Sequence, residues 1–321
     1  MEQDTSIKPE QEHAARLRAL KMGVGLMILA LPDANAWADR FSSDLGITAH
    51  ANISVAADSA HPVPSSPAVG NATQAATLSL ISGGMTSAVA VDGNLVVTGR
   101  LPLSGALLDS GDGVGIAATM SGIDDGKPAS SDGLFGDYAF SISNRSATDP
   151  YKLSLKIDYG NSVQASGAVS AQDGAFNIGL ITLNRGDVAL FFTNLTSDTV
   201  FGDKHDITFT GTSGKDLHDA GTRTVDLTVQ PGETVELRGQ HDLRGGASHA
   251  GALYQGKLQA FISVAAVVDL AAAVTAPLPV AASQQATAEA AKGAHFGLFK
   301  PLVVGLAVLA GIVLLLRKRR K

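Results

Sequence analysis

The chain has 321 residues, with 24 Lys and Arg against 30 Asp and Glu, and no cysteine, which excludes disulfides, thiolate metal sites and a cysteine nucleophile. Residues 39–299 hold 14 of the basic and 25 of the acidic side chains. That balance argues against nucleic acid, whose binding rests on basic contacts to phosphate, and is compatible with divalent cations.

Residues 1–38 read as a signal peptide. Arg16, Arg18 and Lys21 precede an apolar run at 22–31 (MGVGLMILAL), and the small residues that follow place an Ala-x-Ala cleavage site for signal peptidase at Ala36 and Ala38. The run is too short to span a bilayer, which takes ~20 apolar residues. Residues 39–74, rich in Ala, Ser, Pro and His, predict one strand followed by loop.

Residues 75–268 change to short alternating runs separated by Gly, Asp, Asn and Ser, the pattern of antiparallel strands. In YAFSIS at 138–143, Phe140 and Ile142 share one face; in YKLSLKIDY at 151–159, Leu153, Leu155 and Ile157 share one face while Lys152, Ser154, Lys156 and Asp158 take the other. One wet face and one dry face is what an antiparallel sheet in a sandwich requires. Runs at 188–193, 206–210 and 257–264 repeat the theme, and TVDLTVQPGETVEL at 224–237 predicts a hairpin turning at Pro231 and Gly232. With no sustained helical period, the expected fold is all-β. It is an antiparallel immunoglobulin-like β-sandwich of eight to ten strands, flanked by an N-terminal signal helix and a C-terminal transmembrane helix.

Residues 269–295 turn Ala-rich, broken by Pro277 and Pro279, and predict a stalk. Residues 296–316 are apolar apart from Lys300, which can snorkel to the interface, and predict a membrane-spanning helix in contact with lipid. Residues 317–321 (Arg317, Lys318, Arg319, Arg320, Lys321) form a basic flank that marks the cytoplasmic side and leaves the rest of the chain outside, at the cell surface or the periplasmic side.

The segments DYAFSISN (137–144), YKLSLKIDYGN (151–161), FFTNLTSD (191–198) and the turn with Pro231 and Gly232 resemble secreted bacterial proteins of the choice-of-anchor type. The resemblance covers 136–264. It implies a β-sandwich surface domain carried on one of several C-terminal anchors, often the PEP-CTERM kind recognised by a sorting enzyme, exosortase. The tail has that layout of polar stretch, apolar helix and basic cluster. It lacks the Pro-Glu-Pro motif; APLPV at 276–280 is the nearest approach, and a retained anchor is the simpler expectation.

Three His-Asp dipeptides are the sharpest chemical candidates: His205-Asp206, His218-Asp219 and His241-Asp242. Imidazole with carboxylate suits zinc, copper or iron, although adjacent strand residues face opposite ways and ordinary loop placement explains the same pairs. Asp109, Asp112, Asp124, Asp125, Asp132 and Asp137 lie in Gly-rich sequence and form a calcium candidate without the EF-hand order. Turn composition gives the same residues. Gly111, Gly113 and Gly115 complete no phosphate loop, and neither Gly-x-Ser-x-Gly nor His-Glu-x-x-His occurs.

The expected function is therefore non-catalytic: a surface-anchored sandwich with a structural, adhesive or matrix-interaction role, needing no cofactor beyond that calcium candidate. A carbohydrate-binding module is one alternative, with Tyr138, Tyr151, Tyr159 and Tyr254 as its aromatic platform. A metal-binding protein or metal-dependent enzyme built on the His-Asp pairs is the other.

Overall fold

The computed structural model describes residues 41–206, 208–209 and 216–275. The predicted signal peptide with Ala36 and Ala38, residues 276–295 of the stalk, the apolar segment 296–316 and the basic tail lie outside the described residues. No helix among the described residues is long and apolar enough to cross a membrane.

Alternation in the sequence becomes alternation of faces: residues 138–143 and 151–159 bury every second side chain, as their pattern requires. The strands are β1 (Leu45–Ile53), β2 (Ala72–Ser82), β3 (Met85–Val91), β4 (Val97–Thr98), β5 (Leu103–Ala106), β6 (Gly113–Ile123), β7 (Ala129–Asn144), β8 (Tyr151–Ser166), β9 (Ala175–Arg185), β10 (Val188–Asp198), β11 (Lys204–His205), β12 (Thr208–Phe209), β13 (Leu217–Val229), β14 (Thr234–Ala247) and β15 (Leu253–Asp269). Eight form one sheet in the order β12-β11-β10-β9-β14-β7-β1-β5, and seven form the other in the order β13-β8-β15-β6-β2-β3-β4. The protein is an all-β antiparallel sandwich. The fifteen strands among the described residues outnumber the eight to ten expected; four of them, β4, β5, β11 and β12, are only two to four residues long, too short for a legible alternating pattern.

The 224–237 segment differs from its prediction. The turn is present, with Gly232 at φ 72° and the Glu233 amide donating to the Gln230 carbonyl at 3.0 Å. Yet β13 pairs with β8 and β14 pairs with β7 and β9, so the two strands belong to opposite sheets and make no hairpin. The turn crosses the sandwich, letting Val225, Leu227 and Val229 enter the core from one side and Val235 and Leu237 from the other. The 206–210 run is likewise split: Asp206 has φ 53° in the turn between β11 and β12.

The core lies between the sheets and includes Phe140, Ile142, Leu153, Leu155, Ile157, Ile181, Leu237 and Ile262. Tyr254 of β15 is buried there, its hydroxyl donating to Ser131 Oγ of the facing sheet at 3.1 Å. Its ring fits because both sheets present glycine to it. A Cβ at Gly245 would lie 2.2 Å from Tyr254 Cδ2, and one at Gly122 2.5 Å from Cε1.

The first and last of the described segments share one end of the sandwich. The Phe41 amide donates to Leu108 O, the Gly111 amide to Val264 O, and the Tyr151 hydroxyl to Ser42 Oγ at 3.0 Å, while Tyr151 also pairs with Asp269. Asp269 then caps the short helix α1 (Leu270–Thr275), its Oδ1 accepting the Ala271 and Ala272 amides. The connections 54–71, 124–128, 167–174 and 248–252 sit together at the far end, joined by bonds such as Asp124 N to Ala252 O and Ser248 N to Gly174 O.

Candidate metal centre

The acidic candidates named from sequence are divided between the two ends. Asp109 and Asp112 precede β6, whereas Asp124 and Asp125 follow it; eleven residues of strand separate the pairs by ~35 Å. Asp112 is buried and already engaged, its Oδ2 accepting the amides of Gly83, Leu108 and Asp109 at 2.7, 2.7 and 3.1 Å. Asp124 Oδ1 takes the Gly126 amide at 2.8 Å, and Asp125 takes the Asn71 side-chain amide. Both pairs do turn chemistry.

The three His-Asp dipeptides do not meet as a set. His205, Asp206 and Asp219 line one cleft of about 360 Å³ with Tyr159, Phe191 and Arg223. His218 precedes Asp219 on β13, is exposed, and takes the opposite face, as strand geometry requires. Asp219 is occupied by the Tyr159 hydroxyl at 3.0 Å and the Thr193 hydroxyl at 2.7 Å, which ties the edges of the two sheets together. Burial, helped by the Asp219 charge, raises the pKa of that Tyr159 hydroxyl. His241 lies elsewhere, 1% exposed on the core face of β14 and stacked on Tyr138 with 6.2 Å between ring centroids. Burial pushes its pKa down to about 3. Its neighbour Asp242 faces outward and pairs with Arg244, whose guanidinium lies over the Phe135 ring.

All four tyrosines are buried, so none offers an open ring face to a sugar.

A different group assembles on the outer face of the larger sheet, toward the far end. β1 contributes His50 and β7 contributes Asp137; the register that pairs His50 with Ala139 and Asn52 with Asp137 makes them diagonal neighbours. The His50 Nε2–H donates to Asp137 Oδ2 at 2.8 Å. After β1 the chain folds back over this face, anchored by the Ser54 amide on Phe135 O and by the Phe135 amide on Ser65 Oγ. Within that loop Asp58 makes a tight turn, its Oδ1 accepting the Ala60 and His61 amides at 2.8 and 2.6 Å and its Oδ2 the Ser54 hydroxyl at 2.9 Å. Those bonds, the His61 amide first, hold the Asp58 carboxyl below its usual pKa. Pro62 restricts His61 to extended backbone, and the imidazole turns inward against Phe135 with ring centroids 5.8 Å apart.

The result brings ligand atoms of Asp58, His61 and Asp137 within 4.8 Å of one another, and no other such group of three His, Asp or Glu occurs among the described residues. His61 is 5% exposed and neither ring nitrogen has a hydrogen-bond partner; Asp58 Oδ1 stands 3.7 Å from Nδ1, beyond bonding distance. Sequence reasoning placed Asp137 in an acidic run and passed over His50, Asp58 and His61. The Asp58-x-x-His61-Pro62 spacing was the one local signal.

No protein-family model and no curated protein sequence matches the chain. Among solved structures, it is similar to the infectious bursal disease virus Gx strain and to the VP2 subviral particle of that virus, at 12% and 13% identity. Each match covers 85% of this chain and 72% of the other, with a TM-score of 0.13. Likeness at that TM-score carries no argument about fold or function.

Proposed function

We propose that this is an exported, envelope-anchored sandwich, held at lipid by the 296–316 segment and serving a non-catalytic structural, adhesive or matrix-interaction role outside the cytoplasm. Its leader would be removed by signal peptidase after Ala38, and Lys300 with the Arg317 to Lys321 cluster would flank the anchor. The observation that carries the reading is that the first and last described segments, at Ser42 and Asp269, meet Tyr151 at one end of the sandwich. The connections 54–71, 124–128, 167–174 and 248–252 lie at the opposite end of the sandwich, ~50 Å away along the sixteen residues of β8. The choice-of-anchor resemblance agrees with such a display role, and a C-terminal sorting enzyme is a partner that the tail layout suits.

Protease treatment of intact cells, fractionation and intact mass test it. The expected results are digestion of the domain from outside, extraction by detergent alone, and a mature chain beginning at Asp39. A soluble cytoplasmic chain retaining Met1 overturns it. A mass ending before 296 would assign the tail to a sorting enzyme rather than to retention.

A further inference from the structure

We propose that Asp58, His61 and Asp137 bind one divalent transition-metal ion of the zinc or manganese class, with His50 as the positioning residue for Asp137. The inference does not depend on the surface-anchored reading.

The imidazole of His61 carries the argument. A neutral histidine has one N–H donor and one lone-pair acceptor, and here both are buried without partners. Leaving such a group unsatisfied costs about 1–3 kcal/mol; His241 bears that cost in the apolar core, whereas His61 has carboxylates within reach that let a bound ion remove it. Two carboxylates stand beside it, and a third side chain, His50, already donates to one of them. Among the described residues, the ion pairs of Asp58 and Asp137 are with histidine and not with Lys or Arg. A divalent cation supplies the missing charge and takes up a nitrogen lone pair at the same time.

The geometry fits a small ion. A triangle with 4.8 Å sides has its centre about 2.8 Å from each corner, so shifts of roughly 0.7 Å would bring all three atoms to the ~2.1 Å of zinc–nitrogen and zinc–oxygen bonds. Two carboxylates neutralise a divalent ion without residue. One imidazole selects against calcium and magnesium, which take oxygen ligands, and the absence of cysteine removes the softest alternatives. His50, donating to Asp137 Oδ2, leaves Oδ1 for the metal and fixes the carboxylate plane, the usual role of an outer partner. Asp58 is 40% exposed, so the remaining coordination positions open to water. The bound ion would join the 54–71 loop to the sheet beneath it.

The test is metal titration of the untagged, full-length, detergent-solubilised chain with Zn²⁺ and Mn²⁺, with Co²⁺ as a spectroscopic probe. Expected are one equivalent of tightly bound ion, visible Co²⁺ absorption of a low-coordinate nitrogen–oxygen site, and a rise in thermal midpoint reversed by chelator. Asp58→Asn keeps an oxygen to accept the Ala60 and His61 amides while removing the charge, and should weaken binding at least tenfold with an unchanged circular dichroism spectrum. His61→Gln should abolish the Co²⁺ bands, and His50→Gln should lower affinity about tenfold. A variant lacking His205, His218 and His249 should bind as the wild type does. Absence of saturable one-to-one binding of Zn²⁺ and Mn²⁺ overturns the proposal, as does wild-type affinity in folded Asp58→Asn and Asp137→Asn.

Discussion

Replacing His241 with Leu should remove a pH-dependent component of stability without harming the fold at neutral pH. In the folded chain the imidazole is held neutral, its pKa at about 3 against an ordinary 6.5, chiefly by burial. Unfolded, it takes a proton near pH 6.5, so between those values the unfolded state binds more protons and stability rises with pH. The contribution is fully present above pH 6.5 and is lost as pH falls toward 3. At pH 5 the loss is about 2 kcal/mol, from 1.36 kcal/mol per pKa unit over the 1.5 units below the unfolded value. At pH 7.5 the leucine, close in volume, takes away two ring nitrogens that are buried without partners and gives up the stacking on Tyr138. These effects offset each other to within about 1 kcal/mol. Urea denaturation followed by circular dichroism at pH 7.5 and pH 5 measures both terms. The wild type should lose about 2 kcal/mol more than His241→Leu between the two pH values. Equal losses in the two proteins would refute the reasoning, because His241 would then be protonated equally in the folded and unfolded states.

Gly245→Ala places a methyl 2.2 Å from the Tyr254 ring, whose other side is closed by Gly122, so the ring has no room to withdraw; a loss of about 1–3 kcal/mol in thermal or urea denaturation is expected. Asp112→Ala strands the three amides that its Oδ2 accepts and should cost about 3 kcal/mol by the same measurement. Calcium should not shift the midpoint of the wild type through this residue, since Asp112 is committed to the turn.

The faces of individual strands were legible in the sequence and their partners were not. The alternation in 138–143 and 151–159 names Phe140, Ile142, Leu153, Leu155 and Ile157 as core, and all five are buried. The same alternation is produced whether a turn joins neighbours in one sheet or crosses between sheets. Pro231 and Gly232 therefore announced a turn correctly while leaving its topology open. Register poses the same problem for the site. His50 and Asp137 are 87 residues apart and meet only because β1 slots beside β7 at one of many possible offsets. His61 was harder still, since it is buried by a loop folding back over a sheet, an event that leaves no periodic trace. The His-Asp dipeptides attracted notice because they are adjacent, yet adjacency in a strand is what keeps His218 and Asp219 on opposite faces.

Carboxylates alone do not mark a site in this protein. Asp112 serves three amides, Asp124 one, and Glu233 receives the Gln230 amide and the Arg185 guanidinium, all as ordinary turn and edge fastenings. Asp58 is of the same kind when viewed by itself, a turn residue holding two amides and a hydroxyl. What separates its surroundings is the imidazole delivered by that turn. Asp58 fixes the backbone of His61, the backbone aims the ring beneath the loop, and the ring arrives beside a carboxylate that His50 already orients. Local turn chemistry therefore builds the arrangement, and the unsatisfied nitrogens give it a chemical purpose that the other acidic turns lack.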